Sequence, residues 1–196
     1  MAVRTIIGIV VFVGLFMGFI IWLFNNRRDS YHRAFEIIGK ELGGSYIRGE
    51  WPFEGKIDLS YAGKNCQIEL SQGEKVKGKI ILLILRFQVP SLSGDFKINR
   101  KGIAKKIRGE ELTDRTGNRD FDSMVDIISD DMNIPQFAMN PEFQHSAIHL
   151  VKRGFDITAH NGELKAIKAY AEKPDRSSAV LEADIKALHS IADCLS

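Results

Sequence analysis

Residues 5–24, TIIGIVVFVGLFMGFIIWLF, carry no charge, and apart from Thr5 and the glycines Gly8, Gly14 and Gly18 every position is apolar. At about 1.5 Å rise per residue, a helix of that length measures roughly 30 Å, the thickness of a bilayer's hydrocarbon core. A helix satisfies its own backbone in lipid, so the stretch predicts a single N-terminal transmembrane helix. Trp22 falls where an indole suits the headgroup layer, and Asn25, Asn26, Arg27 and Arg28 end the run. A cleaved signal peptide would have a shorter apolar core followed by small residues. Here aromatic, amide and arginine residues follow, which favours a retained anchor.

Beyond the anchor the pattern alternates between helix and strand periods. Asp29 or Ser30 is placed to cap a helix to about residue 42, with Tyr31, Phe35, Ile38 and Leu42 on one face and Gly43-Gly44 ending it. Residues 46–51, 56–61 and 65–70 read as strands, and 71–78 as a polar, glycine-bearing loop. Residues 79–89, KIILLILRFQV, are too short to span a bilayer and read as a central strand buried on both faces. Another strand is expected at 95–99, completing an antiparallel meander, and residues 102–112 are ambiguous with a short helix as one reading. Residues 113–120 read as a loop, 121–129 as a strand and 130–139 as partly helical. Asn140-Pro141 opens a helix to about residue 153: a side-chain cap, then a ring preset for the first turn. Asn161-Gly162 supplies the positive φ angles of a type I′ turn between strands 155–160 and 163–170. A last helix, 178–195, shows Leu181, Ile185, Leu188, Ala192 and Leu195 on one face. The fold class expected is α+β, with residues 1–28 as anchor and 29–196 as one extrinsic domain.

Charge adds sidedness. The N-terminal flank carries Arg4 and the α-amine, and the C-terminal flank Arg27, Arg28 and Arg33, so the positive-inside rule places the extrinsic domain on the cytoplasmic side. Lys and Arg total 27 against 25 Asp and Glu, too even a balance for a nucleic-acid partner. Two cysteines, Cys66 and Cys194, form no disulfide framework or metal cluster and suit a reducing compartment.

Candidate chemistry is sparse. Gly14 and Gly18 form a G-x-x-x-G pair, with Ile7, Val11 and Ile21 near the same stripe, which predicts close packing against another membrane helix. Trp22, Arg27 and Arg28 are the expected membrane-interface residues. Lys97, Arg100, Lys101, Lys105, Lys106 and Arg108 are six cations without an intervening acid, a patch for anionic headgroups or for an acidic partner, or a solvated edge. Gly73, Gly78 and Lys79 mimic a phosphate loop, but Ile80 stands where magnesium needs Ser or Thr and a strand follows where a helix is required, so no nucleotide partner is expected. His145 and His149 are four apart on a helix, yet Ser146 breaks the H-E-x-x-H pattern, and because the apolar face runs through Phe143, Ala147, Leu150 and Val151 both are expected on a solvated face. Asp114, Asp120, Asp122, Asp126, Asp130 and Asp131 lack the order of a calcium loop and read as caps and surface. No cofactor, no metal and no catalytic residue is expected.

Residues 117–167 resemble a pattern found in uncharacterised bacterial proteins that carry one or two N-terminal membrane helices. Its carriers are Gly117, Phe121 and Asp122 in a G-x-x-x-F-D element, Asp130 and Asp131 before a small helix, and the hairpin at Asn161-Gly162. The resemblance implies a bacterial, membrane-anchored α+β domain and implies no activity or site. These readings lead to a single-pass accessory or scaffold subunit of a larger membrane assembly, its partners being the bilayer and other membrane-protein subunits. The alternatives are a membrane-tethered module for lipid headgroups or a small ligand, and a metal-dependent enzyme using His145 and His149.

Overall fold

A computed structural model describes the backbone at residues 2–50, 53–75, 78–90, 92, 95–101, 116–129 and 136–195, with side chains there except at 2–6, 8–10, 74–75 and 78–79. The fold is α+β: a long N-terminal helix, then an eight-stranded antiparallel sheet with helices. Helix α1 spans Ala2–Glu41, and no break falls near the cap expected at Asp29 or Ser30. The correction has a simple cause. No proline stands in the helix and residues 19–38 contain no glycine, so nothing interrupts its backbone ladder between the apolar run and the polar segment. Gly43, with φ 72°, ends it in left-handed geometry, and the Gly44 N–H donates to the Gly39 carbonyl at 2.7 Å.

Strands β1 (Ser45–Arg48), β2 (Gly55–Tyr61), β3 (Lys64–Lys75) and β4 (Gly78–Gln88) form the expected meander. After β5 (Phe96–Arg100), the short helix α2 (Arg119–Met124) and β6 (Val125–Ser129) come a 3-10 turn at Gln136–Met139 and helix α3 (Pro141–Lys152). The hairpin β7 (Asp156–His160) and β8 (Glu163–Ala169), then helices α4 (Glu172–Asp175) and α5 (Ser178–Cys194), complete the chain. The spatial order is β1-β2-β3-β4-β8-β7-β5-β6, so the hairpin inserts between β4 and β5, and β5, the strand expected to complete the meander, lies beyond it. Its turn residues Asn161 and Gly162 have φ 50° and 73°, as the Asn-Gly pair predicted.

Two further expectations are corrected. Residues 71–75 belong to β3, where a loop was expected, because pairing with β4 continues to Lys75↔Gly78. Residues 119–124 are helical where a loop to residue 120 and a strand from 121 were expected, because the Asn118 side chain accepts from the N–H groups of Asp120 and Phe121 and starts a turn. The expected strand to residue 51 stops at Arg48, and Trp51 lies outside the described residues. The expectations for residues 102–112, 113–115 and 130–135 also lie outside them.

The core lies on one face of the sheet. One row of paired residues, Ile57, Ile68, Leu85, Ala166, Ile157, Ile98 and Ile127, crosses seven strands and is buried throughout. Tyr31, Phe35 and Ile38 of α1, Phe143, Ala147 and Leu150 of α3, and Leu181, Ile185, Leu188 and Ala192 of α5 complete that core, on the faces their spacing predicted. The other face of the sheet is more open. On β4, Leu83, Leu85 and Phe87 are buried on the core face, whereas on the other face Ile84 is buried but Ile80, Leu82 and Arg86 are half-buried.

Candidate functional site

α1 has two characters along its length. Around residues 11–24 its apolar side chains point outward unpacked, with Ile7, Val11, Phe12, Leu15 and Trp22 each more than half exposed. From Tyr31 onward one face is driven into the domain. Among the described residues no helix is long and apolar enough to cross a membrane. The apolar positions with described side chains run unbroken over 11–24, about 21 Å of helix, while the run in sequence starts six residues earlier within the same helix.

An aromatic joint ties the two parts together. The Tyr31 ring lies 5.0 Å from Tyr170, 5.5 Å from Phe53 and 5.9 Å from Phe35, and Phe35 is also 5.9 Å from Tyr170. Phe24, at the end of the apolar run, meets the Phe53 ring edge-on at 5.6 Å. The Arg176 guanidinium caps the Tyr31 ring at 5.1 Å, and Arg27 pairs with Glu172 at 2.6 Å. Burial raises the Tyr31 and Tyr170 phenols above their ordinary range, so both rings remain neutral at this joint. Phe53 precedes β2, and Tyr170 to Arg176 follow β8, so both connections lie at the same end of the strands.

Behind the joint lies a closed charge network. Asp175 and Asp184 are fully buried. Asp175 accepts from Lys168 at 2.5 Å, Arg153 at 2.8 Å and the Ala171 N–H at 2.7 Å. Asp184 receives Arg153 through Nε at 3.1 Å and Nη2 at 3.0 Å, and pairs with His149 Nε2 at 2.9 Å. The hydrogen bond to Asp184 raises the Arg153 pKa further, against the opposing effect of burial. β8, α3, α4 and α5 each contribute at least one group, so the network clamps these elements together. Every carboxylate oxygen of the two has a protein partner.

The network corrects one expectation: His149 is half-buried and bonded to Asp184 rather than solvated, while His145 is exposed. The helical spacing that put His149 on the polar face could not show that α5 brings a carboxylate to it. Among the described residues no group of three His, Cys, Asp or Glu side chains is placed to hold a metal. Cys66 is buried, and burial pushes its thiol up to about 12. A shallow groove of about 900 Å³ between α1 and β1 is lined by Asp29, Arg33, Glu36, Lys40 and Arg48 among others, a mixture of both charge signs.

The predicted site residues separate. A Cβ on Gly14 or Gly18 would meet nothing within 4 Å, and Ile7 and Val11 are exposed beside them. Trp22 is exposed, Arg27 pairs with Glu172, and Arg28 lies 3.3 Å from Asp29. Lys97 and Arg100 occupy positions of opposite parity on β5, and Lys101 Nζ donates to the Asp122 carbonyl. Lys105, Lys106 and Arg108 lie outside the described residues. The joint partners Phe53, Tyr170, Glu172 and Arg176 carried no sequence motif. Only the tertiary fold brings them to α1.

No family model matches the chain, and no curated protein matches it. Among solved structures it is similar to the crystal structure of the mycobacterial trehalose monomycolate transport factor A, TtfA, with a TM-score of 0.51 over 88% of this chain and 94% of that chain. Sequence identity is 11%, so the likeness is one of fold, and no family assignment follows from it.

Proposed function

We propose that this chain is a single-pass membrane-anchored accessory subunit of a larger membrane assembly, acting through protein contacts and not as an enzyme. The observation that carries this reading is the continuity of α1. The 20-residue apolar run of the sequence lies within a 40-residue helix whose distal part is buried in the domain core. Such a helix holds the domain at a set distance and angle from the bilayer, which suits a docking part more than a freely tethered one. The resemblance in fold to TtfA, a transport factor by description, supports an accessory role. In this reading the Gly14–Gly18 stripe, with Ile7 and Val11, packs against a membrane helix of the partner.

Solubilising native membranes in mild detergent and resolving them on a native gel tests the proposal. Migration in a defined band with other membrane proteins is the expected result, and Gly14→Leu or Gly18→Leu should loosen that association while leaving the domain folded. Migration of the chain alone, or only with itself, overturns it.

A further inference from the structure

β1 runs back along α1 towards the apolar run. A Cβ on Gly39 would touch Tyr46 at 3.5 Å, and Arg48 reaches Asp29 at 3.4 Å. The groove of about 900 Å³ lies between the two elements. One wall is a single face of α1, because Asp29, Arg33, Glu36 and Lys40 recur every three or four residues. The other wall is β1, with Ser45, Tyr46 and Arg48. A polar pair joins the walls: His32, 6% exposed, meets the Tyr46 hydroxyl through Nδ1 at 2.5 Å. A Cβ on Gly55 would collide with that hydroxyl, so only glycine at the start of β2 admits the Tyr46 ring. Burial pushes the Tyr46 phenol up to about 12, so it stays a neutral hydrogen-bonding group.

Charge is distributed unevenly along the groove. At the end far from the apolar run, Glu36 and Lys40 pair with each other at 2.9 Å. At the near end three guanidinium groups share one carboxylate. Arg28 and Arg48 approach the same Asp29 oxygen, at 3.3 and 3.4 Å. Arg33 donates to the Asp29 carbonyl at 3.3 Å and pairs with no carboxylate among the described residues. Three cations less one anion leave an excess of two positive charges. The pairs are long and solvent-exposed, which makes them weak. A guanidinium has about five N–H donors, and each of these three spends one on the contacts named. Along a continuous helix, Asp29 stands about 7.5 Å beyond Phe24 and Arg33 about 13.5 Å. A headgroup layer is about 5–8 Å thick, and helical side chains lean towards the N-terminus, here towards the apolar run.

We propose that the α1–β1 groove binds an anionic phosphate ester, held at the Asp29 end by Arg28, Arg33 and Arg48. Guanidinium forks match phosphate oxygens, and the excess positive charge repels the ammonium of a zwitterionic headgroup. The site stands on the groove alone. Its source of ligand rests on the membrane anchoring proposed above, which sets the three arginines at the polar edge of the bilayer and so favours an anionic phospholipid. A soluble phosphate shares the same chemistry.

The test uses the full chain, purified in mild detergent, stripped of lipid and mixed with equal amounts of phosphatidylglycerol and phosphatidylcholine. Native mass spectrometry counts the lipid retained. Phosphatidylglycerol should be retained in preference, and Arg33→Gln or Arg48→Gln should each weaken its binding about tenfold, as expected for the loss of one charge-assisted hydrogen bond. Asp29→Asn should tighten binding about fivefold by removing the competing carboxylate, an effect that misfolding cannot produce. Lys40→Gln, at the paired far end, should leave binding unchanged. Millimolar inorganic phosphate separates the sources: displacement of the lipid shows that phosphate itself occupies the site, and retention against it assigns the headgroup. Equal retention of both lipids, no retention, or binding indifferent to both arginine variants overturns the proposal. A loss with Lys40→Gln as large as with Arg33→Gln also overturns it, because diffuse charge would then suffice. Carbonate extraction of native membranes reads the anchor separately. A chain washed off that still prefers phosphatidylglycerol sinks the anchor and keeps the site, whereas a chain retained without that preference sinks the site alone.

Discussion

Asp175 and Asp184 show how strongly this fold depends on single groups. Both are fully buried, and Lys168, whose side chain is 4% exposed, relies on Asp175 for its counter-charge. Asp175→Ala should therefore lower stability by about 3–5 kcal/mol, because it strands a buried cation. Urea unfolding of the full chain in detergent would measure the loss. The exposed Arg27–Glu172 pair stands at the other extreme, with side chains 68% and 47% exposed. The pairing lowers the Glu172 pKa, but solvent screens it, and Arg27→Gln should change stability by about 0–1 kcal/mol. Cys66 gives a chemical test. With its thiol raised by burial to about 12, it should not react with Ellman's reagent at pH 8 until the chain is unfolded, whereas the half-buried Cys194 should react in the native state. Rapid reaction of both native thiols would contradict this burial. Below 9.0, the ordinary value, the thiol is protonated in both states; as pH rises from there towards about 12 only the unfolded chain ionises, so stability falls. Cys66→Val should remove that part of the alkaline loss.

At the scale of elements, α1 is seated by its aromatic face. Phe35 is 1% exposed and packs on Tyr31 and Tyr170. Phe35→Ala should cost about 3–5 kcal/mol and free α1 from the sheet before the rest unfolds. Limited proteolysis would then cut early near Gly43-Gly44, a site that a well-seated helix protects; an unchanged cleavage pattern would show that the joint holds without this ring. The helical faces around Tyr31, Phe143 and Leu181 were legible in sequence because burial on one side imposes a period of three to four residues. The far end of the β3–β4 ladder was not. Gln72, Gly73 and Glu74 are polar or flexible and match a loop by composition, and they become strand only because Ile80 and Ile81 offer paired backbone groups opposite them. Residues 121–124 failed for the opposite reason. They were read as the start of the strand that follows them at Val125–Ser129, and a single cap at Asn118 decided for helix.

For the whole molecule, a continuous α1 couples whatever happens at the apolar run to the orientation of the sheet. If the domain faces the cytoplasm, as Arg27, Arg28 and Arg33 lead one to expect, protease should digest it in inverted membrane vesicles and spare it in right-side-out ones. The reverse pattern would place the domain outside.

The sequence by itself determined the apolar run, the α+β class, the core faces of three helices and the Asn161-Gly162 turn. Each depends on local composition or on a short period, and the chain states these directly. The tertiary structure alone decided that the apolar run and the domain share one helix, that the β7–β8 hairpin inserts between β4 and β5, and that His149 finds Asp184 35 residues away. It also brought Phe24 to Phe53 and Arg27 to Glu172, joining residues far apart in the chain. Contacts between distant segments follow from how sheet edges and helix faces meet in space, and no local period encodes that.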